Sequence, residues 1–127
     1  MKRIPEEGVT SILPTTVTQM PDVLTAALRN VAAVVREGYE GAEILGVHFE
    51  GPYLDMEYMG AQPPEAIAKA DVEQFRKYQE AAEGLIRYIT LAPEHDEGFA
   101  LTKYCSQTGV VVSMGHSSAT YEQALMG

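Results

Sequence analysis

A chain of 127 residues, 46% apolar and 21% charged, has enough material for one ordinary domain with a core, and its apolar runs are far too short to cross a bilayer. A net charge of −9, nine Lys and Arg against eighteen Asp and Glu, argues against nucleic acid and anionic membrane as partners, because both reward a basic patch. A small anionic substrate needs only a few local donors and is not excluded. The single cysteine, Cys105, excludes an internal disulfide and fits a reducing cytoplasm, and the opening MKRIPEEG lacks the apolar stretch of a signal peptide.

In chain order, the run from Gly8 to Pro14 reads as a short strand ended by proline, with Thr15, Thr16 and Thr18 in a polar loop after it. Pro21 and Asp22 then start a helix, since proline's fixed φ suits a first turn and an acid suits the positive end. Leu24, Leu28, Val31 and Val35 recur close to a 3.6-residue period, which predicts a helix over 23–36 with Gly38 as its stop. The second unit has a strand over 42–50, a long loop rich in Gly and Pro, and a helix over 71–83 with Val72, Phe75 and Tyr78 on one side. The third has a strand over 85–92, broken at Pro93, and a helix over 97–108. The fourth has a strand over 110–114, the turn GHSSAT, and a helix opening at Tyr121.

The order βαβαβαβα implies an α/β fold with a parallel sheet and helices packed on it. Largely apolar strands of this kind are expected to be covered on both faces. Four βα units are half of what a (β/α)8 barrel needs, and an open four-stranded sheet would expose apolar edges. The chain also begins at a strand and stops early in a helix. The expectation is therefore a partial (β/α)8 TIM barrel, with residues 1–127 a fragment of one barrel domain.

The chemistry gathers just after the strands. His48 and Glu50 lie two residues apart in GVHFEGPYLD and so share one face of their strand. Glu50 reads either as a solvated strand end or as a site carboxylate at the rim where α/β proteins place their chemistry. His116 is either a loop imidazole or the partner of Glu50, because βα loops of a parallel sheet share a rim. A carboxylate oxygen and an imidazole nitrogen suit zinc or a similar divalent ion, although catalytic zinc takes three protein ligands. Ser117, Ser118 and Thr120 can cap the following helix. His48, set back in the strand, reads as a packed, hydrogen-bonded residue. His95, among acids, reads as part of a solvated loop, and Glu94 fits either role. Cys105 reads as a buried, inert thiol. In GAQPPE, Gly60 permits close backbone approach and Gln62 offers an amide.

Taken together, GVTSILPT, GVHFEGPYLD followed by GAQ, TLAPE and GVVVSMGHSSAT resemble, in that order, the N-acetylglucosamine-6-phosphate deacetylases, metal-dependent (β/α)8 enzymes of the amidohydrolase superfamily. HFEGP and GHSSAT are specific in combination, and the resemblance runs over essentially the whole chain, which covers only part of such an enzyme. It implies that Glu50 and His116 are metal ligands and that Ala61 and Gln62 contact substrate, although some members carry His where Gln62 stands. The implied cofactor is a divalent ion, zinc foremost, with iron, cobalt or manganese as alternatives. The implied reaction of the full-length enzyme, a cytoplasmic homodimer, is hydrolysis of the acetamide of N-acetylglucosamine 6-phosphate to glucosamine 6-phosphate and acetate. A further ligand histidine and the general-base aspartate are expected beyond Gly127, the His-x-His pair that some members carry would precede Met1, and the phosphate-binding arginine has no counterpart within these residues. These residues alone are expected to be inactive.

Two other readings compete. Another amidohydrolase, a deaminase or a dihydroorotase-like hydrolase, would carry a modified Lys or a further His in place of the strand-end Glu. A non-catalytic sugar-phosphate-binding module would bind its ligand regardless of chelators.

Overall fold

The computed structural model describes residues 2–126. Its first strand does not stop at Pro14. Extended backbone forms β1, Ser11–Ile12, and resumes as β2, Thr15–Thr16. Proline lacks an N–H, but its carbonyl still accepts one, and Pro14 O takes the His48 N–H at 3.0 Å. The ladder therefore continues past the proline, and Thr15 and Thr16 are strand residues rather than loop.

Helix α1, Pro21–Glu37, carries proline at its start and Asp22 in its first turn, and buries Leu24, Leu28 and Ala32, four residues apart on one stripe. The next extended run is also in two pieces, β3, Glu43–Ile44, and β4, Val47–Glu50. Gly46 separates them at φ +154°, where a Cβ would stand 2.8 Å from the Leu85 carbonyl oxygen and 2.9 Å from Arg87 Cβ. Only a residue without a side chain lets the chain approach its neighbour so closely.

Helix α2, Val72–Ala81, is opened by Asp71, whose carboxylate accepts the Gln74 N–H. Strand β5 is Ile86–Leu91, and helix α3, Ala100–Gln107, starts later than the predicted position 97. Gly98 and Phe99 both sit in the left-handed region, so 97–99 is a separate 3₁₀ turn. The α3 start is set by Asp96, a buried carboxylate that accepts the N–H groups of Leu101 at 2.9 Å and Thr102 at 2.8 Å. Strand β6, Val111–Met114, and helix α4, Tyr121–Met126, complete the described chain.

All pairings are parallel. β1 pairs with β3, and the main sheet runs β2-β4-β5-β6, so the strands of the main sheet lie side by side in chain order. Phe49, Ile89 and Val112 form one cross-strand row on the face that meets the helices. Phe49 is fully buried there, with ring centroids 5.1 Å from Tyr78, 6.0 Å from Phe75 and 6.5 Å from Tyr53. The opposite face carries Thr15, His48, Tyr88 and Val111 in one row and Glu50, Thr90 and Ser113 in the next. Coverage on both faces, expected from the apolar strands, is thus corrected: Val111 is exposed and His48, Tyr88 and Ser113 only half-buried. The helices pack on one side, and the polar residues of the period-two pattern go to the other.

Two substitutions and one control test this packing. Phe49→Ala should cost about 3–5 kcal/mol, by analogy with large-to-small changes in other cores, read as a lowered urea midpoint. Gly46→Ala should cost about 1–3 kcal/mol through overpacking against Leu85 and Arg87, whereas Gly84→Ala, where a Cβ meets nothing within 4 Å, should show only the smaller left-handed backbone cost.

Candidate functional site

Glu50 is the last residue of β4, and the chain turns at Gly51, where a side chain would run into the Thr18 hydroxyl. The carboxylate lies on the polar face of the sheet at the C-terminal rim. His116 follows β6 by two positions and has a left-handed backbone, φ 52°, which costs a non-glycine residue about 1–2 kcal/mol. Although 66 residues apart in sequence, the two side chains meet, His116 Nε2 standing 2.9 Å from Glu50 Oε1.

The other ring nitrogen decides the chemistry. His116 Nδ1 is 2.9 Å from the Tyr58 carbonyl oxygen, which can only accept, so Nδ1 carries the proton. In a neutral ring the Nε2 lone pair then faces a carboxylate oxygen, and the two can approach only with a cation between them, a proton or a metal ion. Holding one imidazole nitrogen by a carbonyl so that the other is free is how metal-binding histidines are oriented. The donor set, one imidazole nitrogen and one carboxylate, both partly exposed, fits a borderline divalent cation.

Gln62 reaches the same point. Its Oε1 accepts the Thr18 N–H at 2.7 Å, and its Nε2 donates to Glu50 Oε1 at 3.4 Å. Ala61 is exposed on the turn just before it, and Gly60 faces the His116 ring, 3.6 Å separating a built Cβ from Cε1. Glu50, His116 and Gln62 are therefore assembled together, with Ala61 on the same loop.

His48 has no free nitrogen. The Thr15 hydroxyl donates to Leu13 O, so it accepts from His48 Nδ1 at 3.2 Å, and the Thr90 hydroxyl donates to Nε2 at 2.8 Å. The ring stands edge-on to Tyr88, centroids 4.8 Å apart. Burial lowers its pKa, against the opposing charge of Glu50, and keeps it neutral. Cys105 is fully buried on α3, and burial pushes its thiol up to about 12, an inert group.

The rest of the rim was not foreseen. His95 is half-buried rather than solvated, and its Nε2 donates to Asp55 Oδ2 at 2.8 Å. Asp55 also accepts the Ser118 hydroxyl at 3.0 Å and the N–H groups of Glu57 and Tyr58 at 2.8 and 3.2 Å. The His95 bond first, then those donors, pull its carboxyl down to about 2 against the effect of burial. Glu94 accepts Ser117 Oγ at 2.7 Å and the Ser118 N–H at 2.6 Å. Burial alone would raise the Glu94 pKa, but these hydrogen bonds carry it below the usual carboxylate range. Ser117 and Ser118 are thus committed to the rim instead of capping α4. Thr120 provides the cap, in a reciprocal pair with Gln123. An Asp two and three residues before N–H groups it can accept is a turn signal that was readable in the sequence; the carboxylate–serine pairings join distant loops and were not.

A surface groove between α1 and α2, lined by Arg29, Arg36, Lys77 and Glu80 among others, holds none of these groups. No described helix is long and apolar enough to cross a membrane.

Known proteins bear on this geometry. No family model matches the chain. An N-acetylglucosamine-6-phosphate deacetylase from Bacillus subtilis is 45% identical over 120 residues, 92% of this chain and 30% of that protein. An N-acetylgalactosamine-6-phosphate deacetylase from Escherichia coli is 36% identical over 117 residues, 92% of this chain and 31% of its own length. Among solved structures, a variant N-acetyl-D-glucosamine-6-phosphate deacetylase from Mycobacterium smegmatis, in complex with N-acetyl-D-glucosamine-6-phosphate, superposes with a TM-score of 0.83 at 33% identity, over 92% of this chain and 30% of that one. The chain spans about 30% of the length of the curated relatives it matches. By sequence and by fold, it is related to the N-acetylglucosamine-6-phosphate deacetylases and corresponds to a part of their α/β barrel.

Proposed function

We propose that this chain supplies the Glu50–His116 part of a divalent metal centre in an enzyme that hydrolyses the acetamide of N-acetylglucosamine 6-phosphate to glucosamine 6-phosphate and acetate. The observation that carries the reading is the 2.9 Å approach of His116 Nε2 to Glu50 Oε1, with Nδ1 anchored on the Tyr58 carbonyl. A mixed nitrogen and oxygen pair favours zinc, with iron, cobalt or manganese as substitutes. When bound, such an ion polarises an amide carbonyl and acidifies a water molecule. Glu50 and His116 would hold it. Gln62, tied to the Thr18 N–H and to Glu50, fixes the carboxylate from the side and, with Ala61, forms the proposed substrate-facing loop.

Two donors fall short of the three protein ligands a catalytic zinc usually takes. In this reading residues 1–127 form part of one barrel domain and are inactive by themselves. The N-acetylgalactosamine 6-phosphate named for one relative carries the same acetamide, so the Glu50–His116 centre suits either sugar. The glucosamine form is proposed because the relatives of higher identity bear that name.

Cobalt titration of the folded chain, followed by its visible absorption, tests the centre. Glu50→Gln and His116→Ala should each weaken binding by at least about 10-fold, the loss typical when a metal site is disturbed, with little change in far-ultraviolet circular dichroism. Unchanged affinity in both variants would remove the metal assignment. The purified 127-residue chain should release no acetate from N-acetylglucosamine 6-phosphate, and release abolished by a chelator would show that the two donors suffice.

A further inference from the structure

Asp55 closes the GVHFEGPYLD stretch and has no role in the proposed reaction, yet it touches the His116 region at three points. Its backbone N–H donates to the His116 carbonyl at 2.9 Å. Its Oδ1 gathers the N–H groups of Glu57 and Tyr58, the turn that presents the Tyr58 carbonyl to His116 Nδ1. Its Oδ2 accepts the Ser118 hydroxyl two residues beyond His116. His95 braces the carboxylate from the far side, and Glu94 holds Ser117 and Ser118.

We propose that Asp55, backed by Glu94, is a positioning residue that sets the orientation of the His116 ring and so aims Nε2 at Glu50. The proposal rests on the reading of His116 as a metal ligand, but its geometry stands on the metal-free contacts alone. The His116 backbone occupies a left-handed conformation that L residues avoid. A loop in that state stays put only when contacts on either side hold it. Asp55 supplies those contacts from the β4 loop and Glu94 from the β5 loop, so three separate rim loops are tied at one residue. The carboxylates, hydroxyls and imidazole of this cluster have one another as partners. That internal satisfaction marks the cluster as an orienting frame rather than a second metal site, although the ligand atoms of Asp55, Glu94 and His95 lie within 4.8 Å of one another.

The test compares Asp55→Ala, Asp55→Asn and Ser118→Ala with Asp96→Asn, a control that disturbs the buried α3 cap without touching the rim. In the metal-free protein, labelled with nitrogen-15 histidine, the His116 Nδ1 proton should exchange slowly with solvent. Asp55→Ala should abolish that protection and Asp55→Asn, which keeps an acceptor for Glu57 and Tyr58, should restore it. Ser118→Ala, the mildest change, keeps the question answerable if Asp55→Ala fails to fold, and should accelerate exchange several-fold. Cobalt affinity should fall about 10- to 100-fold in Asp55→Ala, the range seen for outer partners of metal ligands. Asp96→Asn should lower Tm and leave both readouts unchanged. Wild-type protection of Nδ1 in Asp55→Ala, or in Ser118→Ala if only that variant folds, would overturn the proposal. Loss of protection in a protein that binds no cobalt even as wild type would support the positioning role while sinking the metal reading.

Discussion

The hydrogen bond from His116 Nδ1 to the Tyr58 carbonyl is the contact on which the rim depends. A neutral imidazole has one donor and one acceptor nitrogen, and fixing the donor fixes the acceptor. Because a backbone carbonyl cannot donate, the proton has no choice of site, and Nε2 is left facing Glu50 at 2.9 Å. That pairing is satisfied when the two groups share a cation.

The fold makes this contact possible through the sheet. With β2, β4, β5 and β6 parallel and adjacent in sequence order, every βα loop emerges on the same side. Glu50, Glu94, His95 and His116 therefore share a rim, though they come from three strands. Two glycines set the approach. Gly46 lets β4 close on β5, and Gly51 lets the chain fold over the Thr18 hydroxyl directly after Glu50. The cluster of Phe49, Phe75 and Tyr78 beneath holds the strands that carry these loops.

The two histidines of the polar face show how similar surroundings assign different roles. His48 is enclosed by threonine hydroxyls that use both its nitrogens, and burial keeps it neutral. It ties β2, β4 and β5 together just below Glu50. His116 is anchored through one nitrogen by a carbonyl and faces a carboxylate with the other. The difference lies in the partners, since both rings are partly exposed.

Much of the fold was legible in the chain itself. The helical period of Leu24, Leu28 and Val31, the stop at Gly38, and the apolar run of β5 record local preferences that survive into the folded state. The same holds for Glu50 at a strand end and His116 in a glycine turn, because strand polarity places such residues on one rim whatever the details. The tertiary structure alone decided the rest. That the strand resumes after Pro14 depends on a carbonyl used by a neighbouring strand, and that β3 and β4 separate at Gly46 depends on Leu85 and Arg87, forty residues away in sequence. The partners of Asp55, Glu94, Ser117 and Ser118 lie on other loops, so the choice between cap, solvated acid and orienting frame was set by packing. A sequence fixes which groups can donate and accept; only the folded chain determines which of them come within 3 Å.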